Sequence, residues 1–410
     1  MASTKENSPA EVEIEKLVYG GDGLARLDGQ VVLMPYVLPQ ERVSFTPHRV
    51  KTGLLKGTQV RILQPSGERI EPRCEYFMSC GGCHLQHTGY EFQLAQKQSI
   101  LRETLRRIAG LEYAEEIAII SGEPWSYRNR VQLHFKAGTC GFHKPESHAI
   151  QGISHCDVSA PLLNDAIAKI RPAVKKQEWP DFLRSLELFT NGSEIQVNVL
   201  ESNRPVAARF FTWLKNLVPT IAAGAIEYEA AGQRFRISGG SFFQTNRFLI
   251  DQLVNEVLGD ETGQEAVDLY AGVGLFTLPI AKRFQRVQAV ERGATAFRDL
   301  EFNAATANLA NINPQRASAE EFLRNLTTAP EWIVADPPRA GVGKEATTEL
   351  LRLKPQHLTL VSCDPATLAR DLKTLLAGGY QITRMSLVDL FPQTYHFETV
   401  VRLAIPSQQS

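Results

Sequence analysis

Apolar and polar residues alternate with a period of two through the first part of the chain. The segments VEIEKLV, VVLMPYV, RVSFTPHRV and TQVRILQP, spread over residues 11–66, place apolar side chains on every second position. Turns bearing Gly and Pro separate them, and no window carries a helical period, so the region reads as a small β-barrel. The pattern becomes helical in YEFQLAQKQSILRETLRRIAG, residues 90–110, with Gly110 as its C-terminal stop. Residues 116–237 mix strands (VQLHFKAG, EIQVNVL, IEYEA, FRIS) with helical pieces, an α+β pattern.

A third regime begins near residue 244. Helix NRFLIDQLVNEVLG, strand AVDLY, helix LFTLPIAKRF, strand VQAVE, helix ATAFRDLEFNAATAN, strand WIVAD, helix KEATTELLRL, strand LTLVSC and helix PATLARDLKTLLAG follow in turn. Strands that are nearly continuous apolar runs are covered on both faces, which means a parallel sheet in an α/β arrangement. At 410 residues the chain is too long for one core. The changes of period divide it into 9–66, 67–237 and 238–410, with helix 90–110 free to pack with the C-terminal part.

Composition narrows the class. Hydrophobic residues make up 43% and charged ones 22%, as in folded globular chains, and no stretch nears the roughly 20 apolar residues of a membrane span. The start, MASTKENSPAEVEIEK, lacks the apolar core of a signal peptide, so a cytoplasmic protein is expected; a monomer is expected as well. A net charge of −1 means that any nucleic-acid contact must be local. Between Glu41 and Glu68 there is no carboxylate, but there are Arg42, Arg49, Lys51, Lys56 and Arg61. Such a face suits RNA or plain solvent equally. Trp125-Ser-Tyr127-Arg128-Asn-Arg130 and Phe142-His-Lys144 set aromatics beside cations, which would suit unpaired bases or an ordinary half-exposed strand.

Six cysteines in a reducing compartment argue against a disulfide framework. Cys74, Cys80 and Cys83 crowd into ten residues, and Cys156 stands in Ser-His-Cys-Asp. Four thiolates fit structural zinc or a [4Fe-4S] cluster, and His84, His87 and His155 keep zinc open. Cys140 reads as core packing.

In an open parallel sheet, ligands sit beyond the carboxyl ends of the strands. Strand AVDLY runs into Ala271-Gly272-Val273-Gly274-Leu275-Phe276, whose glycines allow a tight turn and close backbone approach. Thr277 stands where a dinucleotide fingerprint needs its third glycine. Asp268 and Glu291, at the ends of two strands, suit the cationic aminoacyl end and the ribose hydroxyls of S-adenosylmethionine better than a phosphate chain. WIVA leads to Asp336-Pro337-Pro338-Arg339, whose prolines keep the carboxylate out of a helix. LTLV leads to Ser362-Cys363-Asp364-Pro365, where a helix N-terminus would favour the thiolate.

These motifs, with Ser241-Phe242-Phe243-Gln244-Thr245-Asn246 and Phe397-Glu398-Thr399-Val400, stand in an order that resembles the RNA uracil-5 methyltransferases, which make 5-methyluridine in ribosomal and transfer RNA. The resemblance implies a TRAM-like RNA-binding barrel, a central α+β iron-sulfur domain and a C-terminal Rossmann-like methyltransferase domain. It implies Cys363 as the nucleophile at uracil C6 and Glu398 as the base. It implies Gln244, Asp268, Tyr270, Gly272, Gly274, Glu291, Ser318 and Asp336 as the S-adenosylmethionine site. It favours a [4Fe-4S] cluster on Cys74, Cys80, Cys83 and Cys156 over zinc, and 23S rRNA over the tRNA T-loop. Leu275 departs from the Asn that the family often carries there. Phe242 or Phe243 would fill the space left by a splayed-out uridine. A nitrogen methyltransferase would have no need of Cys363, and an inert iron-sulfur RNA-binding module would not explain five ordered motifs.

Overall fold

The computed structural model describes residues 8–406. The start of the chain read above for its location, through residue 7, and the last four residues of segment 238–410 lie outside them. The described chain forms two compact units. One comprises residues up to Leu101 with His143–Gln151 and Phe391–His396, and the other Arg102–Phe142, Gly152–Leu390 and the residues from Phe397 on.

The first unit holds β1 (Ala10–Glu13), β2 (Lys16–Leu17), β3 (Gly23–Leu27), β4 (Gln30–Met34), β5 (Arg42–Lys51) and β6 (Leu54–Gln64). They form a sheet ordered β1-β5-β6-β4-β3-β2. Its two edges are halves of one segment interrupted at Ile14-Glu15, where Ile14 N–H donates to Glu41 O and Glu15 N–H to Leu24 O. The alternate apolar positions Val32, Met34, Val43, Phe45 and Leu55 close on Ile14, Ala25 and Val37 as the core. The basic run is partly neutralised by folding, because Arg42 pairs with Glu11 and Lys56 with Glu146. Arg49, Lys51 and Arg61 stay exposed. Helix α1 (Tyr90–Thr104) follows, running into one π turn over Leu105–Ala109. The turn ends at Gly110 with φ 70°, the expected left-handed stop. Gln93 on α1 exchanges hydrogen bonds with Gln393, which ties residues 391–396 into this unit.

The second unit opens with β7 (Ala118–Ile120), β8 (Arg130–Lys136) and β9 (Thr139–His143) and, after short β10 (Ile150–Gly152), whose first two residues belong to the first unit, holds α2 (Pro161–Ala173), β11 (Leu183–Thr190) and β12 (Ile195–Ser202). Strands β9, β8, β11 and β12 are neighbours in an antiparallel sheet. Helix α3 (Ala208–Leu217) and the hairpin β13 (Ile226–Ala230) and β14 (Gln233–Ile237) come next.

The large sheet is built from β15 (Gly263–Leu269), β16 (Phe284–Val290), β17 (Ile312–Gln315), β18 (Trp332–Ala335), β19 (His357–Ser362), β20 (Gln381–Val388) and β21 (Glu398–Ala404). Its helices are α4 (Ile250–Leu258), α5 (Thr277–Ala281), α6 (Ala294–Thr306), α7 (Ala319–Asn325), α8 (Gly343–Leu353) and α9 (Pro365–Ala377). The strand order is β17-β16-β15-β18-β19-β21-β20-β7. Strands β15 to β19 are mutually parallel, as their apolar runs predict, but β21 lies antiparallel to both β19 and β20. The order reverses between β15 and β18, the switch point at which doubly wound sheets bind ligands. Among the described residues, no helix is long and apolar enough to cross a membrane.

Candidate active site

The carboxyl ends of all five parallel strands carry residues singled out in the sequence. Asp268 lies near the end of β15, with Tyr270, Gly272 and Gly274 in the loop beyond it. Glu291 follows β16, Ser318 follows β17, Asp336 follows β18 and Cys363 follows β19. The loop is a left-handed turn, with φ 61° at Tyr270, 57° at Gly272 and 97° at Gly274. A tyrosine held there is strained, and such strain collects at functional sites. A Cβ at Gly274 would stand 2.8 Å from Leu278 Cδ1 and 2.9 Å from Leu300 Cδ1, whereas one at Gly272 would meet nothing within 4 Å. Gly274 is needed for packing, and Gly272 faces open space.

Each acid on this rim has a distinct setting. Asp268 is fully buried, and its Oδ2 accepts from Thr277 Oγ1 at 2.5 Å while Oδ1 has no hydrogen-bond partner. Burial, helped by Asp336 and Glu291, pushes its carboxyl up to about 7. Glu291 bridges the glycine loop to its own, accepting from Gly272 N–H at 2.9 Å and from Gly293 N–H. Ser318 caps α7 in a reciprocal pair with Glu321. Leu275 is buried.

Cys363 and Glu398 meet because β21 runs backwards. Ser362 pairs with Thr399, so the next residue of β19 and the preceding residue of β21 face each other at the ligand end. Glu398 is 7% exposed, and its Oε2 is buried without a hydrogen-bond partner. Burial and then the Asp336 charge drive its carboxyl well above the ordinary range, and Arg339 pulls it back. Burial likewise raises Asp336. The Cys363 thiol is pushed up to about 12 by burial, then by Glu398, with Asp336 adding and Arg339 opposing. This corrects the expectation that the helix N-terminus favours the thiolate. Asp364 takes that place, its carboxylate accepting from Ala366 and Thr367 N–H at 2.9 and 3.0 Å.

The segment between β14 and α4 carries Gln244. Gln244 is buried, and its carbonyl accepts from Asn129 Nδ2 at 2.9 Å. Phe243 is 1% exposed among Phe189, Tyr228 and Phe235, which leaves Phe242, 63% exposed, as the one of the pair able to meet a base. Arg130 is also internal, bonded to Glu187 and to Ser241 O and stacked over Phe189, and Tyr127 is fully buried. The aromatic-cation run at 125–130 therefore braces the fold more than it offers bases a surface. Asp299 and Asn303 on α6 were not legible as site residues. Their only sequence signal is polar character on the helix face that Leu300 and Ala304 bury.

Cys74, Cys80 and Cys83 belong to the first unit and Cys156 to the second. Burial is the main cause that raises the Tyr36 hydroxyl to about 12, with Cys80 and Cys83 adding to it. Among the described residues, however, no group of three or more His, Cys, Asp or Glu side chains is arranged to hold a metal ion. Ligand thiols do not attract one another, and metal binding supplies the energy that gathers them. Cys140 is the buried core thiol expected, held at about 12 by desolvation.

Residues 225–405 match the family model described as tRNA (Uracil-5-)-methyltransferase. An RNA methyltransferase of Aquifex aeolicus, described as uncharacterized, is 31% identical over 98% of this chain and 99% of its own length. The 23S rRNA (uracil(1939)-C(5))-methyltransferase RlmD of Vibrio parahaemolyticus is 31% identical over 95% of this chain and 94% of its own. Among solved structures, the Pyrococcus abyssi tRNA (uracil-54, C5)-methyltransferase in complex with S-adenosyl-L-homocysteine superposes with a TM-score of 0.75 at 25% identity, covering 96% of this chain and 100% of that one. Identity of this extent, over a rim that pairs a cysteine with a buried glutamate, means that the chain belongs to the RNA (uracil-5) methyltransferase family.

Proposed function

We propose that the protein methylates C5 of a uridine in 23S rRNA, using S-adenosylmethionine, with Cys363 as nucleophile and Glu398 as base. The observation that carries this reading is the antiparallel β21, which sets Glu398 against Cys363 at the rim holding the glycine loop. The unpartnered Oδ1 of Asp268 and the open space beside Gly272 fit the amino-acid end of the cofactor. When bound, S-adenosylmethionine supplies an electrophilic methyl group, which uracil C5 is too weak a nucleophile to take unaided.

Cys363 releases its thiol proton to solvent as the uridine enters, Sγ forms a bond to C6, and the C5=C6 electron pair moves toward C4=O, leaving C5 enolate-like. Once C5 carries the methyl group, Glu398 removes the C5 proton, the double bond re-forms and the C6–S bond breaks to return the thiolate. A carboxylate raised above its ordinary range is a stronger base for that proton transfer. In the unliganded site the thiol holds its proton, so ionisation is coupled to substrate entry. Gln244, Tyr270, Glu291, Ser318 and Asp336 complete the cofactor site in this reading. The curled sheet of the first unit, with Arg49, Lys51 and Arg61 exposed, serves as the RNA-holding barrel.

Cys363→Ala abolishes methyl transfer, and Glu398→Gln accumulates a covalent protein-RNA adduct on a denaturing gel. Full activity of the alanine variant overturns the mechanism, and no adduct with the glutamine variant removes Glu398 as base. Mapping 5-methyluridine in total RNA with and without the gene identifies the RNA. The Pyrococcus abyssi likeness favours a tRNA T-loop uridine as the second reading. A [4Fe-4S] cluster on Cys74, Cys80, Cys83 and Cys156 carries no step here. Iron and acid-labile sulfide in anaerobically purified protein support it, and zinc alone or no metal removes it.

A further inference from the structure

Two buried polar residues on α6 tie together the two loops that the reaction needs. Asp299, 0% exposed, accepts from Ser238 N–H at 2.8 Å, Ser238 Oγ at 2.6 Å and Ser241 Oγ at 2.7 Å, with Arg236 Nε at 3.5 Å. These partners fix the start of the Ser238–Asn246 segment, which presents Phe242 and Gln244. One turn further along the same helix face, Asn303 is 1% exposed. Its Oδ1 accepts from Arg236 N–H at 2.7 Å, and its Nδ2 donates to Arg236 O at 3.1 Å and to Val273 O at 2.9 Å. Val273 lies between the two glycines of the cofactor loop. One amide therefore bonds both the strand leading to the substrate-side segment and the turn that faces the cofactor.

Neither residue is needed to form α6, whose apolar face is supplied by Leu300 and Ala304. Buried polar groups in the interior hold only where every partner is in place, so this network specifies one relative arrangement of the two loops. A cofactor that orders Gly272–Gly274 fixes Val273 O, and through Asn303 it fixes Arg236 and the segment that Asp299 holds. Coupling of this kind is reciprocal.

We propose that Asp299 and Asn303 are positioning residues through which cofactor binding at Gly272–Gly274 organises the Ser238–Asn246 segment for the target base, and the reverse. The inference rests on the cofactor reading above, because it needs a ligand at that loop.

Hydrogen exchange with S-adenosylhomocysteine as probe tests it without turnover. In the wild-type protein the ligand slows exchange at both 271–275 and 238–242, the part of the segment ahead of Gln244. In Asn303→Ala it protects 271–275 but no longer 238–242. In steady-state assays, with total RNA from a strain lacking 5-methyluridine as acceptor, Asn303→Ala raises both the S-adenosylhomocysteine Kd and the RNA KM by about tenfold. Asp299→Asn touches the substrate-side segment alone. It raises the RNA KM by a similar factor and speeds exchange at 238–242, while the S-adenosylhomocysteine Kd, touched only through Gln244, rises less than in Asn303→Ala. That variant also serves if Asn303→Ala does not fold. A purely structural role predicts instead that both variants lower thermal stability and change every constant in step. Protection that still reaches 238–242 in Asn303→Ala, or that never reaches it in the wild type, overturns the inference alone. Absence of any protection in the wild type overturns the cofactor reading beneath it.

Discussion

Replacing Asp268 by Asn separates stability from binding in a way set by the site's geometry. The carboxyl is fully buried and titrates at about 7 instead of 3.8. Between those two values the folded chain holds a proton that the unfolded chain has released. Stability is therefore lost as pH rises through this window, and the loss is complete above about 7. A difference of about three pH units at about 1.4 kcal/mol each makes the buried carboxyl cost about 4 kcal/mol at pH 8. Asn keeps the acceptor for Thr277 Oγ1 but brings an amide N–H to the unpartnered Oδ1 position, a cost of about 2 kcal/mol. Asp268→Asn is expected to match the wild type near pH 5. It should gain about 1 kcal/mol per pH unit between pH 5 and 7, and stand about 2 kcal/mol ahead from pH 7 to 8. Urea unfolding of the unliganded proteins at pH 5, 6, 7 and 8 measures this. In the same preparations S-adenosylhomocysteine affinity falls by about a hundredfold, because a charge-assisted hydrogen bond is gone. A variant less stable than the wild type at every pH, or a difference that does not change with pH, refutes the reasoning.

Three further outcomes follow from single contacts. Iodoacetamide labelling of Cys363 in the free protein keeps accelerating from pH 7 to 10, as a thiol at about 12 requires, and a plateau near pH 8.5 would contradict that site. Gly272→Ala folds and loses cofactor affinity, whereas Gly274→Ala drives a Cβ into Leu278 and Leu300 and costs at least about 2 kcal/mol of stability by urea unfolding; equal stability of the two counts against this division of roles. Glu41 is buried: burial pushes its carboxyl up, but Arg69 and the N–H groups of Leu38 and Ser66 together carry it below 4.5. Arg69→Ala strands that charge and lowers stability by about 3–5 kcal/mol at pH 7, and the gap between the two proteins narrows as acid protonates Glu41; a loss below about 1 kcal/mol would show the pair to be dispensable.

Local pattern was enough to reveal much of this protein. Period-two alternation marked the strands of the first unit, Gly110 marked the end of a helical run, and apolar runs marked β15, β16, β18 and β19, because strand and helix faces are set by neighbours a few residues apart. Ordered motifs at strand ends located Asp268, Glu291, Asp336 and Cys363 on one rim, since a parallel sheet collects all its carboxyl ends on one side. Other features depended on contacts distant in sequence. Nothing near Glu398 says that β21 runs antiparallel, yet that direction alone brings its first residue to Cys363. Glu11 and Glu146 neutralise part of a run that contains no acid of its own. Asp364 displaced the cysteine from the helix end, and burial with neighbouring acids reversed the expected direction of its thiol. Desolvation and Coulomb interaction act through space, so a sequence can name the chemical groups while only the tertiary structure decides which charges they feel.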